Sequence, residues 1–275
     1  MKESTFNITK LQDLKIAMRG AGDLATGVAL RLHRSGFENL LLLETKHPLA
    51  VRRLVSFSEA VCRGKMSVEG VTARHIKDVA EFGECIAGRE IPLLVDPGAG
   101  SFAQYQPDVV IDAIIAKRNT GTGIDDAELV IGLGPGFDAG VDVHLVVETM
   151  RGHGLGRVVR EGTALPDTGI PGSIAGFTHQ RLLRAPNDGV FETACDIGDE
   201  VVAGERVATV AGTPVVAHVS GVLRGLLRSN TPVSLRTKLG DIDPRGEVAF
   251  CSTSSDKAMA VAGGVLEAIL WHHNC

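Results

Sequence analysis

Residues 19–27 read RGAGDLATG, and Gly20, Gly22 and Ala25 stand in the register of a dinucleotide-binding turn, G-x-G-x-x-G/A. In such a turn the first glycine permits the bend and the second lets a pyrophosphate approach the backbone. The third small residue lets helix pack on strand. Glu44 ends the apolar run LLLLE, at the distance where an acid binds ribose hydroxyls. The spacing therefore suits NAD(P) or another nucleotide. Asp23 pulls the other way, because its carboxylate competes with a phosphate for the positive end of the following helix unless Arg19 or a metal intervenes. The turn reads either as a nucleotide site or as an unoccupied strand-to-helix turn.

A second set of glycines, Gly132, Gly134 and Gly136, follows the apolar run that begins at Glu128, and can form a nest of backbone N–H groups for a phosphate or a pterin substituent. Asp138, Asp142, His144, Glu148 and His153 come next. Asp142 and His144 lie two apart, so on a strand they share a face and are candidates for a metal or for proton transfer. A surface turn with satisfied polar groups accounts for them equally well. Arg151, His153 and Arg157 can complete the charge around a bound phosphate. The stretch DPGAGSF at 96–102 either lines the same cleft or is a plain Pro-Gly turn. The tail WHHNC gathers His272, His273 and Cys275, a soft-metal donor set on a terminus of the kind that frays. No G-x-S-x-G is present and no cysteine has a histidine at catalytic spacing, so covalent nucleophilic catalysis is not indicated. Whether the chain is an enzyme stays open.

These residues need a scaffold. From 15 to about 150 short continuous apolar runs (KIAM, LLLLE, PLLVD, DVVID, ELVIGLG) alternate with helical patterns near 24–35 and 77–87, as a parallel sheet covered on both faces requires. The expected fold is α/β, a Rossmann-like doubly wound parallel sheet, which places ligands at the carboxyl ends of the strands. From about 183 to 250 the helical period gives way to short β-like stretches. GVFETACDIGDEV, from Gly189, is nearly repeated as GVLRGLLRSNTPV, from Gly221. The repeat resembles a small all-β biotinyl/lipoyl-like sandwich, but the segment between its halves, residues 205–220, holds no lysine to carry a swinging arm. The expected organisation is a nucleotide-binding-type domain over 1–150, a Gly/Pro-rich connector over 151–182, the sandwich over 183–250 and a closing helix and tail over 251–275. That helix has small residues on one side, suited to packing against a domain or a second subunit of a homo-oligomer.

The net charge of -5 comes from interspersed charges rather than blocks of one sign, which speaks against nucleic-acid and membrane partners and for a small-molecule ligand. Without an apolar signal core or a run long enough to span a bilayer, the expected location is the cytoplasm. The five scattered cysteines have no C-x-x-C pair and read as reduced thiols.

Taken together, RGAGDLATGVALRLHRSGF, DAIIAKRNTGT, GLGPGFDAGVDVHLVVETMRGHGLGRVVREG, TGIPG, LRAPNDGVF and KLGDIDPRG resemble the YqeB family of selenium-dependent molybdenum hydroxylase system proteins over nearly the whole chain. The chain is also distantly similar to XdhC-type maturation factors. The resemblance implies an accessory protein that matures a molybdenum hydroxylase and binds its molybdenum cofactor (molybdopterin) or a nucleotide at the sheet edge. The alternatives are an NAD(P)-dependent oxidoreductase and a noncatalytic scaffold that docks the hydroxylase.

Overall fold

The computed structural model describes residues 11–274. By compactness the chain divides into two units. The first comprises the chain up to Pro48, Ser56–Asp167 and the chain from Ser254 onward; the second joins Leu49–Val55 to Thr168–Thr253.

The first unit is organised by β1 (Ile16–Arg19), β2 (Leu40–Glu44), β3 (Lys65–Val68), β4 (Val71–Ile76), β5 (Ile91–Val95), β6 (Val109–Asp112) and β7 (Leu129–Leu133). Later come β8 (Asp138–Ala139), β9 (Leu145–Val147), β10 (Val158–Val159) and β11 (Gly162–Thr163). All but β8 and β11, which pair with each other, form a nine-stranded sheet in the order β10-β9-β7-β6-β1-β2-β5-β4-β3. The strands from β9 to β4 are parallel, while β10 and β3 run antiparallel at the two edges. The apolar runs behave as their composition requires: β1 and β7 are buried at every position, whereas edge strand β3 alternates exposed and buried residues.

Helix α1 (Asp23–Arg34) follows β1; α2 (Ala60–Arg63), α3 (Phe82–Ala87) and α4 (Phe102–Tyr105) are short, and α5 (Asp256–Asn274) closes the chain. α1 leaves the carboxyl end of β1 and runs back toward the amino ends of the strands. α5 finishes beside Glu128, which precedes β7, so it runs in the same direction. Gly27 of α1 lies so close to α5 that a Cβ there would come within 2.8 Å of the Ala258 Cβ, and one at Gly264 would meet the Gly156 carbonyl oxygen at 2.1 Å. The small residues of the closing helix are thus used inside this unit.

The second unit contains β12 (Leu182–Arg184), β13 (Gly189–Glu192), β14 (Glu200–Val201), β15 (Arg206–Val210), β16 (Thr213–Val216), β17 (Gly221–Leu226), β18 (Thr231–Val233) and β19 (Lys238–Asp243). They form two four-stranded antiparallel sheets, β12-β19-β17-β14 and β16-β15-β13-β18, around Phe191, Leu223, Leu226 and Ile242. The sequence repeat has a structural counterpart, because each copy opens against the end of the other: Gly189 lies opposite Val233, and Gly221 opposite Val201.

These observations correct the expected fold class. The large sheet is mixed rather than a doubly wound parallel Rossmann-like sheet, and several antiparallel sheets accompany it, with no separate biotinyl/lipoyl-like domain shown among the described residues. The reason lies partly in residues 63–76, where a hairpin forms β3 and β4 around Glu69 and Gly70. Both turn residues have positive φ, the conformation that a two-residue hairpin loop needs. The helix expected over 77–87 shortens to the six residues of α3, and the other connections carry only the four-residue α2 and α4.

Candidate functional site

The chain departs from β1 toward β2 and β5 on one side and later adds β6, β7 and β9 on the other, so the order reverses between β1 and β6. In open sheets with parallel strands a ligand sits outside the carboxyl ends at such a point. Here those ends carry Arg19 and Asp112. Both are buried, and Thr122 joins them: its Oγ1 accepts from the Arg19 guanidinium and donates to Asp112 Oδ2 at 2.6 Å. The same guanidinium reaches the carbonyl oxygens of Thr120, at 3.4 Å, and Pro97, at 3.5 Å. Arg19 is therefore committed to tying β1 to the loops after β5 and β6.

The Gly20–Gly22 turn rests on this lock. Gly20 has φ +94°, and a Cβ there would come within 2.9 Å of the Ala113 carbonyl oxygen, so only glycine fits. Gly22 faces open space and caps α1 through its backbone alone, while Ala25 is buried beneath the helix. Glu44 accepts from the Ala21 N–H at 3.0 Å and the Thr45 N–H at 2.8 Å, which shapes the turn from the next strand. Across the sheet, a Cβ on Gly132 would meet the Phe137 ring at 2.5 Å, one on Gly134 the Thr149 Oγ1 at 2.4 Å, and one on Gly136 the Arg118 backbone at 2.6 Å. Close packing of protein on protein accounts for these three glycines. Asp96 likewise accepts from the Gly100 and Ser101 N–H groups; burial would raise its pKa, but these bonds outweigh it and hold the carboxyl below its ordinary value.

Glu148, buried at the end of β9, accepts from the Met150 N–H at 2.6 Å and the Leu165 N–H at 2.8 Å. Arg151 makes a two-pronged ion pair with Asp256, and Arg157 Nη2 lies 3.0 Å from His153 Nε2 on the surface. Asp142 accepts from the Asp138 N–H at 3.0 Å, and His144 Nδ1 accepts from the Val130 N–H at 3.0 Å. A neutral His144 ring consequently carries its proton on Nε2 and has no lone pair left for a metal, so Asp142 and His144 do not make a ligand pair. Burial, with the neighbouring His272, pushes the His144 pKa down. Cys275 lies outside the described residues.

One group at this edge escaped the sequence reading. Lys257, second residue of α5, stands half-buried among Asp23, Arg151, Lys117 and Glu148. Among the described residues its ammonium makes no hydrogen bond. Burial lowers its pKa, Arg151 and Lys117 lower it further, and Asp23 and Glu148 oppose them. The amino ends of α1 and α5 open side by side here, so two helix dipoles and the ammonium add positive potential around the Asp23 carboxylate. The Ser-Ser-Asp segment that caps α5, where Ser255 Oγ accepts from the Ala258 N–H at 3.1 Å, was the available sequence signal.

No protein-family model matches the chain. It is 46% identical over 255 residues to a protein of Escherichia coli (strain K12) named as uncharacterized protein YqeB, a match covering 93% of this chain and 47% of the relative. The chain is a relative of YqeB. It spans about half the length of that curated relative, whose name states no activity. Among solved structures, an aspartoacylase family protein from Mesorhizobium loti aligns over 83% of this chain and 84% of its own, at 13% identity and a TM-score of 0.26. A succinylglutamate desuccinylase/aspartoacylase from Rhodobacter sphaeroides aligns over 83% and 85%, at 15% identity and a TM-score of 0.26. The ectoine utilization protein EutE (DoeB) from Ruegeria pomeroyi aligns over 86% and 60%, at 13% identity and a TM-score of 0.23. At these scores neither fold nor activity is transferred. None of these names mentions molybdenum-hydroxylase maturation, an NAD(P)-dependent oxidoreductase, a hydroxylase scaffold or a molybdenum cofactor. Those readings are set aside. Among the described residues no helix is long and apolar enough to cross a membrane.

Proposed function

We propose that the first unit binds a small molecule bearing a phosphate or diphosphate at the carboxyl edge of its large sheet, nucleotides such as NAD(P) being the class to test. The observation that carries this reading is the half-buried Lys257 ammonium without a hydrogen-bond partner beside the amino ends of α1 and α5. Withdrawing an ammonium from water costs free energy that Asp23 and Glu148 return only in part, and an anionic ligand that hydrogen-bonds it would return more. Perturbed titratable groups of this kind gather at functional sites. Gly22 supports the same placement, since beyond its chain neighbours nothing lies within 4 Å of where its Cβ would be. In this reading Lys257 supplies charge, the first-turn N–H groups of α1 supply direction, and Glu44 holds the turn in shape.

Isothermal titration of the full chain with ATP, NAD, NADP, pyrophosphate and adenosine tests the proposal. Binding of the phosphorylated compounds but not of adenosine is expected. Equal binding of adenosine, or no binding of any of them, would refute it.

A further inference from the structure

At the opposite, amino edge of the same sheet three side chains meet that no part of the proposed anion site uses. Glu128 stands immediately before β7, and His272 and His273 lie in the last turn of α5. His272 Nε2 is 3.7 Å from Glu128 Oε1, the two imidazole centroids are 5.0 Å apart at an interplanar angle of 87°, and one donor atom of each residue lies within 4.8 Å of the others. The last turn of α5 is held in place by its neighbours: Trp271 packs under the Arg160 guanidinium, 4.0 Å from its ring centroid. The ring of His144 lies 6.3 Å from that of His272 and walls one side.

A second observation points to a ligand. The Nε2 of His273 is buried and has no hydrogen-bond partner among the described residues. A buried ring nitrogen without a partner is costly, and a cation at the cluster would give a lone pair there the bond it lacks. The carboxylates of Asp108 and Asp125 add negative potential around the imidazoles.

We propose that Glu128, His272 and His273 bind one divalent transition-metal ion of the zinc class. Two imidazoles and a carboxylate are borderline ligands, suited to Zn²⁺, Co²⁺ or Ni²⁺ and poorly suited to Ca²⁺ or Mg²⁺, which take oxygen ligands. Metal–ligand bonds of about 2.0–2.2 Å require the three donors to draw together from their present spacing. The exposed Glu128 side chain, 68% accessible, has the freedom to make most of that movement. Three protein ligands leave a fourth position open to water or to an exogenous ligand.

The test is titration of the tag-free chain with Co²⁺ and Zn²⁺, followed by calorimetry and by visible absorption. One equivalent of Co²⁺ is expected, with a spectrum of nitrogen and oxygen ligation, displaced by Zn²⁺ and not by Mg²⁺. Glu128→Gln and His272→Gln leave His273, whose Nε2 is buried, in place; each is expected to weaken binding at least tenfold with the melting temperature of the metal-free protein unchanged. Unchanged affinity in the two variants, no binding at all, or a thiolate charge-transfer band in the near ultraviolet would each overturn the assignment.

Discussion

Replacing Lys257 by Met keeps the length of the side chain and removes its charge, which separates the two energies that meet at this position. In the free protein the half-buried ammonium has lost part of its hydration and gained no hydrogen bond, so the variant is expected to be at least as stable as the parent. In the complex the ammonium would make a charge-assisted hydrogen bond to a phosphate oxygen, worth about 1.5–3 kcal/mol. Because the group is half-exposed, the lower part of that range applies: about 1.5–2 kcal/mol, or a loss of about 10- to 30-fold in affinity. Calorimetric titration with ATP and pyrophosphate reads the affinity, and urea unfolding reads the stability. The pH dependence follows with a definite sign. A lysine whose folded pKa is lowered costs the free protein stability while it is charged, a cost that is full below the lowered pKa, diminishes as pH rises past it and is gone above the ordinary lysine value. Binding needs the ammonium, so affinity should fall with rising pH, starting below the ordinary lysine range, and Lys257→Met should abolish that dependence. Parent-like affinity in the variant, with the same pH profile, would refute the role given to Lys257.

Gly22→Ala adds a methyl group into open space at a φ of -70°, which alanine adopts freely; the melting temperature should hold while phosphate affinity drops severalfold, and unchanged affinity would place the ligand elsewhere. Asp112→Ala strands the buried Arg19 guanidinium and is expected to cost about 3–5 kcal/mol in urea unfolding. Gly27→Leu drives a side chain into Ala258 and should separate α1 from α5 at a cost of about 1–3 kcal/mol, read in the same experiment. In the second unit, burial would raise the Asp241 pKa, but Lys238, Arg224 and Arg181 outweigh it and hold the carboxyl below its ordinary value. Its contribution to stability is therefore complete above the unfolded carboxylate pKa of about 3.9 and is lost as pH falls through the lower folded value. Acid titration followed by circular dichroism should show this loss, and Asp241→Asn should remove that part of the pH dependence.

How far the sequence could be read depended on whether a residue's neighbours lie along the chain or across it. Continuous apolar runs such as LLLLE and ELVIGLG located β2 and β7 to within a residue or two, because burial on both faces is written into consecutive positions. The β3–β4 hairpin went unread because its turn is Glu-Gly, not one of the usual Asn-Gly or Asp-Gly pairs, and without it the sheet appeared purely parallel. Arg19 looked like a counter-charge for phosphate, yet its partner Asp112 is distant in sequence and turns it inward. Lys257 was one lysine among many until α5 was seen to begin beside the amino end of α1.

The glycines carry the more general point. Spacing such as G-x-G-x-x-A reports that something must approach the backbone closely, but the identity of that neighbour is not encoded in the spacing. At Gly20 the neighbour is the Ala113 carbonyl, at Gly134 it is Thr149, and at Gly136 it is the Arg118 backbone. Each of these glycines is explained by the protein's own atoms and says nothing of a ligand. Gly22 differs because, apart from its chain neighbours, no described atom lies within 4 Å of where its Cβ would be. A glycine that the fold does not demand, one residue before the amino end of a helix whose Asp23 neighbours an ammonium without a hydrogen bond, is the position in the motif that a bound anion would explain.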